Sequence, residues 1–368
     1  MSNNRLEKLH KLLDEAKLDA VVLNPGVSLS YLTGMDFHLS ERPTTLIVTA
    51  HKNIIVLPRL ESLKLDSAEV ALQPFLYGDD PADWPAVFTE ALKATSLVSV
   101  CIGIEPTQMR FLELGYLQSA ETSNKFVGAD FVFGNLRVSK DDSEIVKMQR
   151  AVDIAQAALT ATLDNIKTGM TEIQIAAELS IQLLRNGSSA DFPFQPIVVS
   201  GPNSANPHAS PTARIPQPGD FLLFDYGAKF QGYCSDITRT FGIGHLSDQQ
   251  VELYNTVLAA NVAGRAASRA GVSAGSVDRA ARDVTVKARR DQYFTHRTGH
   301  GLGMETHEAP YIFAGNSQIL EEGMVHTVEP GLYIPELGGV RIEDDVVVRE
   351  GRSVSLTSFP RELRILEL

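Results

Sequence analysis

Two carboxylates lie in a segment that otherwise has the pattern of an apolar hairpin. The segment "FDYGAKFQGYCSD" holds Asp225 near its start and Asp236 at its end, symmetric about positions 230–231. If the strands turn there, the two side chains face each other with Cβ atoms about 4.5–5.5 Å apart. Carboxylates this close repel, so one of them must bind a proton or a cation must lie between them. The alternative is one exposed aspartate and one aspartate that caps a turn.

A second pair of carboxylates repeats the arrangement about a hundred residues later. Glu329 and Glu343 are symmetric about Glu336, and the "PELGG" between them is typical of a turn. Each glutamate follows an apolar strand residue, so a second hairpin is predicted to carry two opposed carboxylates. Asp344 and Asp345, which follow directly, are expected to form a solvated face.

Three histidines lie within the glycine-rich segment "HRTGHGLGMETHEAP", at His296, His300 and His307. The glycines among them disfavour a helix and let the backbone approach a ligand closely. The segment lacks the zinc-protease helix pattern and the dinucleotide fingerprint, and the chain has no Walker loop and no G-x-S-x-G elbow. Four carboxylates and one imidazole suit a pair of divalent ions such as Mn²⁺, Co²⁺ or Zn²⁺. Two such ions can share a hydroxide, which is hydrolytic chemistry.

The elements around these residues change character near Gly134, which predicts two domains, 1–134 and 135–368. The first domain alternates helices and strands, as an α/β domain does. Its strands are predicted over 19–23, 44–50, 53–58, 97–104 and 126–133, and its helices over 1–17, 79–95 and 109–118.

The second domain is predicted to be α+β, with an antiparallel sheet built from hairpins. Its helices are predicted over 139–166, from Thr171 to Gly187, from Ser247 onward, and over 276–292. Thr171 with Gln174, and Ser247 with Gln250, match capping boxes. Its strands are predicted over 195–201, 221–230, 232–244, 326–334 and 339–348.

Composition narrows the class of protein. The 368 residues are 43% hydrophobic and 21% charged, with a net charge of −12, which argues against nucleic acid or an anionic membrane as partner. No apolar stretch approaches the ~20 residues that span a bilayer, and the first residues form a charged amphipathic pattern instead of a signal peptide. Cys101 and Cys234 suggest no disulfide framework, so a cytoplasmic location is predicted.

These segments together resemble the Xaa-Pro peptidases, aminopeptidase P and prolidase, of the pita-bread metallopeptidase superfamily. The resemblance rests on "FDYGAKFQGYCSDITRTF", "HRTGHGLGMETHEAP", "VHTVEPGLYI", "GVRIEDDVVV" and "GPNSANPHA". The first ~134 residues resemble a creatinase-type N-terminal domain. The implied fold is this α/β domain followed by a pita-bread catalytic domain with a curved antiparallel sheet.

The resemblance implies five metal ligands, namely Asp225, Asp236, His300, Glu329 and Glu343. Asp236 and Glu343 would bridge two divalent ions, Asp225 would chelate one, and His300 and Glu329 would bind the other. Mn²⁺ is the first candidate, with Co²⁺ or Zn²⁺ as alternatives. A hydroxide that bridges the ions would attack the scissile carbonyl, with Glu329 as general base.

Further residues match positions that contact the substrate in this family. His208 and His307 would hold the substrate and its tetrahedral intermediate, and His296, Tyr333 and Arg341 would line or support the pocket. Thr327 is expected to hydrogen-bond a ligand carboxylate, and Cys234 to be a small buried residue. Tyr311 or Phe313 are candidates to contact the proline ring.

The implied activity is cleavage of the Xaa-Pro bond at the N-terminus of small peptides, as an aminopeptidase or, alternatively, as a dipeptidase. The absence of an obvious added segment favours the aminopeptidase. Methionine aminopeptidases share the ligands but lack the N-terminal domain, and creatinase and non-catalytic relatives lack the ligands. A homodimer is predicted, in which the loop around His38 is a candidate lid.

Overall fold

The computed structural model describes residues 2–367, which divide into two compact units, the first ending at Arg137 and the second beginning at Val138. Within residues 2–367, no helix combines the length and the apolar character needed to cross a membrane.

The first unit is built on a mixed six-stranded sheet in the order β4-β3-β2-β1-β5-β6. Its strands are β1 Ala20–Leu23, β2 Thr45–Thr49, β3 Asn53–Pro58, β4 Gln73–Tyr77, β5 Cys101–Ile104 and β6 Lys125–Gly128. Strands β1, β2 and β3 pair antiparallel, whereas β1–β5, β5–β6 and β3–β4 are parallel. The parallel pairs require crossovers, and two of these contain helices, as in an α/β domain.

The helices of the first unit are α1 Ser2–Ala16, α2 Val27–Thr33, α3 Trp84–Thr95, α4 Phe111–Ala120 and α5 Asp130–Arg137. The predicted helix over 1–17 corresponds to α1, and Met1 lies outside the described residues. The strand predicted over 126–133 is wrong in its second half, which is α5. Val132, Phe133 and Leu136 are buried there at helical spacing, so packing selects a helix.

The helices of the second unit are α6 Asp142–Asn165, α7 Glu172–Arg185, α8 Asp248–Ala267 and α9 Ala274–Lys287. Both predicted capping boxes are present, at Thr171 with Gln174 and at Ser247 with Gln250. A third box, formed by Asp141 and Glu144, starts α6.

The strands of the second unit form two antiparallel sheets and two short hairpins. They are β7 Ile197–Ser200, β8 Phe221–Tyr226, β9 Lys229–Phe230, β10 Tyr233–Cys234, β11 Ile237–Ile243, β12 Gly299–Gly301, β13 Glu308–Ile312, β14 Val325–Val328, β15 Gly331–Ile334, β16 Gly338–Arg341, β17 Asp344–Arg349, β18 Arg352–Ser355 and β19 Ile365–Leu366. One sheet has the order β19-β11-β8-β7, with β19 added in parallel, and the other has the order β13-β12-β14-β17-β18. Strands β9 and β10, and β15 and β16, form the hairpins.

Two helix pairs cover these strands with separate apolar clusters. Helices α6 and α7 bury Leu159 and Leu179 in a cluster that also contains Phe224 of β8. Helices α8 and α9 bury Val257 and Ala281 in a cluster with strands β15 and β16. The strands that carry the predicted site are therefore held from behind by packed helices.

The register of the first carboxylate hairpin differs from the prediction. Asp225 on β8 lies opposite Thr238 on β11, and Asp236 lies two residues before Thr238. The cause is the turn, which is centred at Gln231 and Gly232, both with positive φ, instead of at 230–231. Because side chains alternate along a strand, Asp236 still shares a face with Thr238 and hence with Asp225.

The second hairpin has the predicted register. The ladder of β15 and β16 pairs Gly331 with Arg341, and the ladder of β14 and β17 pairs Val328 with Asp344. Both ladders are symmetric about Glu336, so Glu329 and Glu343 are opposed at the break between them.

Candidate metal centre

Three carboxylates converge on one imidazole at the centre of the second unit. The Nε2 atom of His300 lies 3.6 Å from Asp236 Oδ2 and 3.5 Å from Glu329 Oε1. Ligand atoms of Asp236, His300 and Glu343 all lie within 4.8 Å of one another. We call Asp236, Glu329 and Glu343, around His300, the carboxylate cluster.

The His300 imidazole presents a lone pair, not a proton, to the carboxylates. Its Nδ1 atom lies 3.1 Å from the carbonyl oxygen of Gly301, which can only accept, so Nδ1 carries the proton. Burial, with His307 nearby, lowers the pKa of His300 well below its usual value, so the ring is neutral. The free Nε2 therefore turns its lone pair towards the carboxylate oxygens and donates no hydrogen bond to them.

Burial and mutual repulsion disfavour the charged forms of these carboxylates. Burial, followed by Glu343 and Asp225, raises the pKa of Asp236 well above its usual range. Burial, followed by Glu329, does the same to the pKa of Glu343. Burial raises the pKa of Glu329 to about 7, although the nearby Arg341 cation lowers it. The protein supplies too little positive charge here for all three to ionise.

The fourth predicted carboxylate, Asp225, has a protein partner. Its Oδ2 forms an ion pair with Nη2 of Arg341, a guanidinium that is only 4% exposed. The same guanidinium donates from Nε to Thr238 Oγ1 over 3.1 Å. Asp225 is therefore held beside the cluster by a buried cation, while the other three carboxylates lack one.

A buried hydrogen-bond chain fixes Arg341 from the other side. Arg341 Nη1 donates to the Tyr333 hydroxyl over 2.8 Å, and that hydroxyl lies 2.8 Å from His296 Nε2. The His296 Nδ1 atom faces the carbonyl oxygen of Arg297 at 2.7 Å, so the tyrosine must donate to Nε2. Burial lowers the pKa of His296 to about 3, in keeping with a neutral ring. Three residues predicted at the pocket thus form one positioning chain.

A cavity of about 590 Å³ opens onto the cluster, a size typical of small-molecule sites. Its wall includes all five residues predicted as ligands, and also His208, His296, His307 and Arg341. His208 and His307 are exposed, and the His307 ring lies 4.1 Å from that of His300, edge to face. The structure therefore brings the predicted residues to one cavity, with Tyr333 behind it.

The expectation that Asp344 and Asp345 form a solvated face is wrong, because both are fully buried. Strand β17 is buried at every position from Asp344 to Val348, so neither of its faces is solvated. Asp344 pairs with Arg239 and Arg361, at 2.8 and 2.7 Å. Asp345 Oδ2 accepts the backbone N–H of Asp236 over 3.0 Å, and so supports the cluster.

Two threonines connect to the cluster, one of them differently from the prediction. Thr327 Oγ1 accepts the backbone N–H of His300 over 3.2 Å and contacts no ligand carboxylate, because its strand β14 runs beside β12. Thr238 donates from Oγ1 to Glu343 Oε2 over 2.6 Å. No sequence pattern indicates Thr238, because its position opposite Asp225 follows from the two-residue shift in register.

Cys234 is buried as predicted, and burial raises the pKa of its thiol to about 12. Both cysteines are free thiols. The aromatic side chain on the cavity wall is Phe194, whereas Tyr311 lies under the guanidinium of Arg297 at 4.7 Å. Sequence reasoning missed Arg297 and Phe194, since neither belongs to a ligand pattern.

The hydrogen bonds that the cluster lacks indicate whether divalent ions would fit it. Asp236 Oδ1 and Glu343 Oε1 are buried and find no hydrogen-bond partner among the described residues. Unpartnered buried carboxylate oxygens are costly, and a neutral imidazole nitrogen aimed at them adds no donor. Divalent cations would satisfy all of these atoms at once, so the donor set fits the predicted ions.

Comparison with known proteins agrees with this chemistry. Residues 146–350 match the model of metallopeptidase family M24, and residues 5–139 match the creatinase/prolidase N-terminal domain. The Xaa-Pro dipeptidase of Lactobacillus helveticus is 35% identical over 99% of both chains.

Solved structures show the same fold over the whole chain. The Xaa-Pro dipeptidase from Bacillus anthracis matches with a TM-score of 0.91, at 32% identity over 100% of both chains. The X-Pro aminopeptidase from Thermotoga maritima MSB8 matches with a TM-score of 0.86, at 29% identity over 98% of this chain and 99% of its own. The predicted fold class, a creatinase-type α/β domain with a pita-bread catalytic domain, is confirmed. The chain belongs to metallopeptidase family M24, and it is a metallopeptidase.

Proposed function

We propose that this metallopeptidase is a Xaa-Pro dipeptidase, with two divalent ions held by Asp225, Asp236, His300, Glu329 and Glu343. The observation that carries the proposal is the set of buried carboxylate oxygens and the His300 lone pair that meet without donors at the floor of one cavity. Mn²⁺ is the first candidate because oxygen ligands predominate over nitrogen. The dipeptide substrate is inferred from the relatives' names and from Arg297.

The ions, when bound, would polarise the scissile carbonyl and make water a nucleophile near neutral pH. The protein's own groups do the rest. Glu329, whose carboxylate lies 3.5 Å from His300 Nε2 on the cavity wall, can accept a proton from the attacking water and return it to the proline nitrogen. Asp225 is held in place by Arg341 and the Tyr333–His296 chain.

His208 and His307 stand where they can donate hydrogen bonds to the substrate. Both are exposed on the cavity wall, above the buried cluster. A donor aimed at the oxygen that gains charge stabilises the transition state more than the ground state. We assign them to the carbonyl oxygen and its tetrahedral intermediate.

Arg297 supports a dipeptide as substrate. Its guanidinium lies on the cavity wall, over the Tyr311 ring, and no described carboxylate forms an ion pair with it. Arg297 adds to the burial that lowers the pKa of His307 and opposes the burial that raises the pKa of Glu329, which supports a role for Arg297 close to these two groups. A guanidinium that forms no ion pair with any described carboxylate fits the free carboxylate of a Xaa-Pro dipeptide.

The second candidate is an Xaa-Pro aminopeptidase, which one structural neighbour is named. In the substrate of such an enzyme the chain continues beyond the proline, so the far side of the cavity must accept further residues. The proline of that substrate has no free carboxylate. The two candidates therefore differ in what Arg297 would contact.

Steady-state kinetics on an Xaa-Pro dipeptide, its C-terminal amide and an Xaa-Pro-Xaa tripeptide separate the candidates. We expect the Mn²⁺-loaded enzyme to prefer the dipeptide, and Arg297→Met to lose ~10-fold or more in kcat/KM on the dipeptide but not on the amide. Arg150→Met, at an exposed position of α6, is the matched control. A wild-type preference for the tripeptide would establish the aminopeptidase instead. The homodimer and the cytoplasmic location stay predictions.

A further inference from the structure

One buried ion pair in the second unit lies outside the carboxylate cluster but touches its glycine-rich segment. Lys140, two residues before α6, places Nζ 2.5 Å from Oε1 of Glu308, at the start of β13. Their side chains are 1% and 7% exposed. Lys140 Nζ also donates to the carbonyl oxygen of Val138 over 3.2 Å.

Such a pair is a poor way to gain stability alone. Desolvation of two charges offsets much of their attraction, and apolar residues of similar volume often stabilise a core equally well. The lysine and the glutamate are better explained by the geometry that they impose on the backbone. A charge-assisted hydrogen bond fixes the distance between two segments that are 168 residues apart in sequence.

The segment that the pair fixes carries His307. Glu308 directly follows His307 and lies opposite Gly301 in the ladder of β12 and β13, beside His300. His307 lines the cavity and Glu308 does not, so the ion pair holds the backbone next to His307 without entering the cavity. The imidazole of His307 has no hydrogen bond to the described residues, and its ring contact is with His300. Its position therefore depends on how its backbone is anchored.

Gly303 shows how closely the pair packs against this segment. A Cβ on Gly303 would lie 2.7 Å from Glu308 Oε1 and 2.8 Å from Lys140 Cε. A larger residue at position 303 would require the ends of both side chains to shift from their ion-pair positions under the turn that joins His300 to His307. The turn at Gly303 and the ion pair therefore pack closely against each other.

We propose that Lys140 and Glu308 are positioning residues, whose buried ion pair holds His307 over the carboxylate cluster during peptide cleavage. The inference rests on the proposed role of His307 in the reaction. Neither Lys140 nor Glu308 lines the cavity, so the pair would act through the backbone of His307.

The test compares Lys140→Met, the apolar double variant Lys140→Met/Glu308→Met, and Glu308→Gln, with metal content and Tm measured beside kcat and KM. We expect the double variant to recover Tm relative to Lys140→Met but to keep a kcat that is ~10- to 100-fold low, with KM changed less. Glu308→Gln, which can still accept the lysine hydrogen bond, should retain most of the activity. Leu159→Ala, which creates a cavity in the apolar core beside α6, is the control for lost stability. It should keep the wild-type kcat at temperatures below its Tm.

A double-mutant cycle with His307→Ala identifies the route of the effect. If the pair acts through His307, adding Lys140→Met/Glu308→Met to His307→Ala changes kcat by less than about 2-fold. Wild-type kcat in the double variant, or losses that multiply in the cycle, would overturn the positioning role. A fully active His307→Ala would instead refute the proposed role of His307, so the two failures are distinguishable.

Discussion

Strand β17 separates two buried regions whose charges are balanced in different ways. On one side, Asp344 meets Arg239, Arg361 and, at 3.4 Å, Arg265, a set we call the arginine cluster. On the other side, the next residue, Asp345, faces Asp236 and the carboxylate cluster. Consecutive strand residues point to opposite faces, so one peptide bond separates the two regions.

The pKa values of the two aspartates show the difference. Burial alone would raise the pKa of Asp344, but Arg239 and Arg361 hold it below its usual value. Burial raises the pKa of Asp345 well above its usual value, and no guanidinium contacts its carboxylate among the described residues. The fold can therefore neutralise a buried carboxylate with its own cations, and it does not do so at the carboxylate cluster. That asymmetry is what a site for external cations requires.

The largest effect is expected from Asp236→Ala. The variant should lose at least ~1000-fold in kcat/KM on Xaa-Pro dipeptides, about 4 kcal/mol, because it removes one of the oxygens that would hold the ions. Metal content after dialysis, measured by mass spectrometry, should fall with the activity. Wild-type turnover in this variant would refute the assignment of the metal centre.

The equivalent change in the arginine cluster should act on stability instead. Asp344→Asn removes the negative charge that is paired with Arg239, and breaking a buried ion pair from one side typically costs about 3–5 kcal/mol of unfolding free energy. Asp236→Asn in the metal-free protein should leave Tm unchanged or raise it, because it removes a repelling charge. Denaturant unfolding of Asp344→Asn and Asp236→Asn, each after removal of metal with a chelator, tests this contrast in stability. Equal losses of stability would show that the two regions do not differ as described.

The sequence predicted the second carboxylate hairpin better than the first, and the reason is local. "PELGG" is a recognisable turn centred on Glu336, so the opposition of Glu329 and Glu343 followed from symmetry. In the first hairpin, Gln231 takes positive φ, which its residue type does not signal, and the register moved by two. The arginine cluster joins residues more than a hundred positions apart, and no spacing rule could have related Arg239 to Asp344. The strand predicted through 133 became α5 because tertiary packing overrode a β-rich composition.

A smaller effect should appear in the pH dependence of the metal-free protein. Glu329 has a pKa of about 7 in the folded chain, against about 4.3 when unfolded, so the native state binds more protons between these values. Its contribution to stability is therefore present at low pH and is lost as the pH rises through about 7. We expect Glu329→Gln to match the chelated wild type at pH 4.5 and to exceed it by about 3 kcal/mol at pH 8. Parallel stability curves for the two proteins would contradict this sign.

The smallest effect concerns Thr238, which connects the two carboxylate hairpins. Its hydroxyl donates to Glu343 Oε2 over 2.6 Å and accepts from Arg341 Nε over 3.1 Å. It therefore orients Glu343, a proposed ligand, and also Arg341, which pairs with the proposed ligand Asp225. Thr238→Val keeps the shape but removes both contacts, and we expect Mn²⁺ to bind ~10- to 100-fold more weakly. Competition with a chelator of known affinity measures the change in Kd. Thr162→Val, which loses a buried threonine hydroxyl in α6, is the control for stability alone. An unchanged Kd in Thr238→Val would mean that Glu343 is held by its backbone. The carboxylate cluster would then keep its geometry without side-chain hydrogen bonds, unlike the arginine cluster.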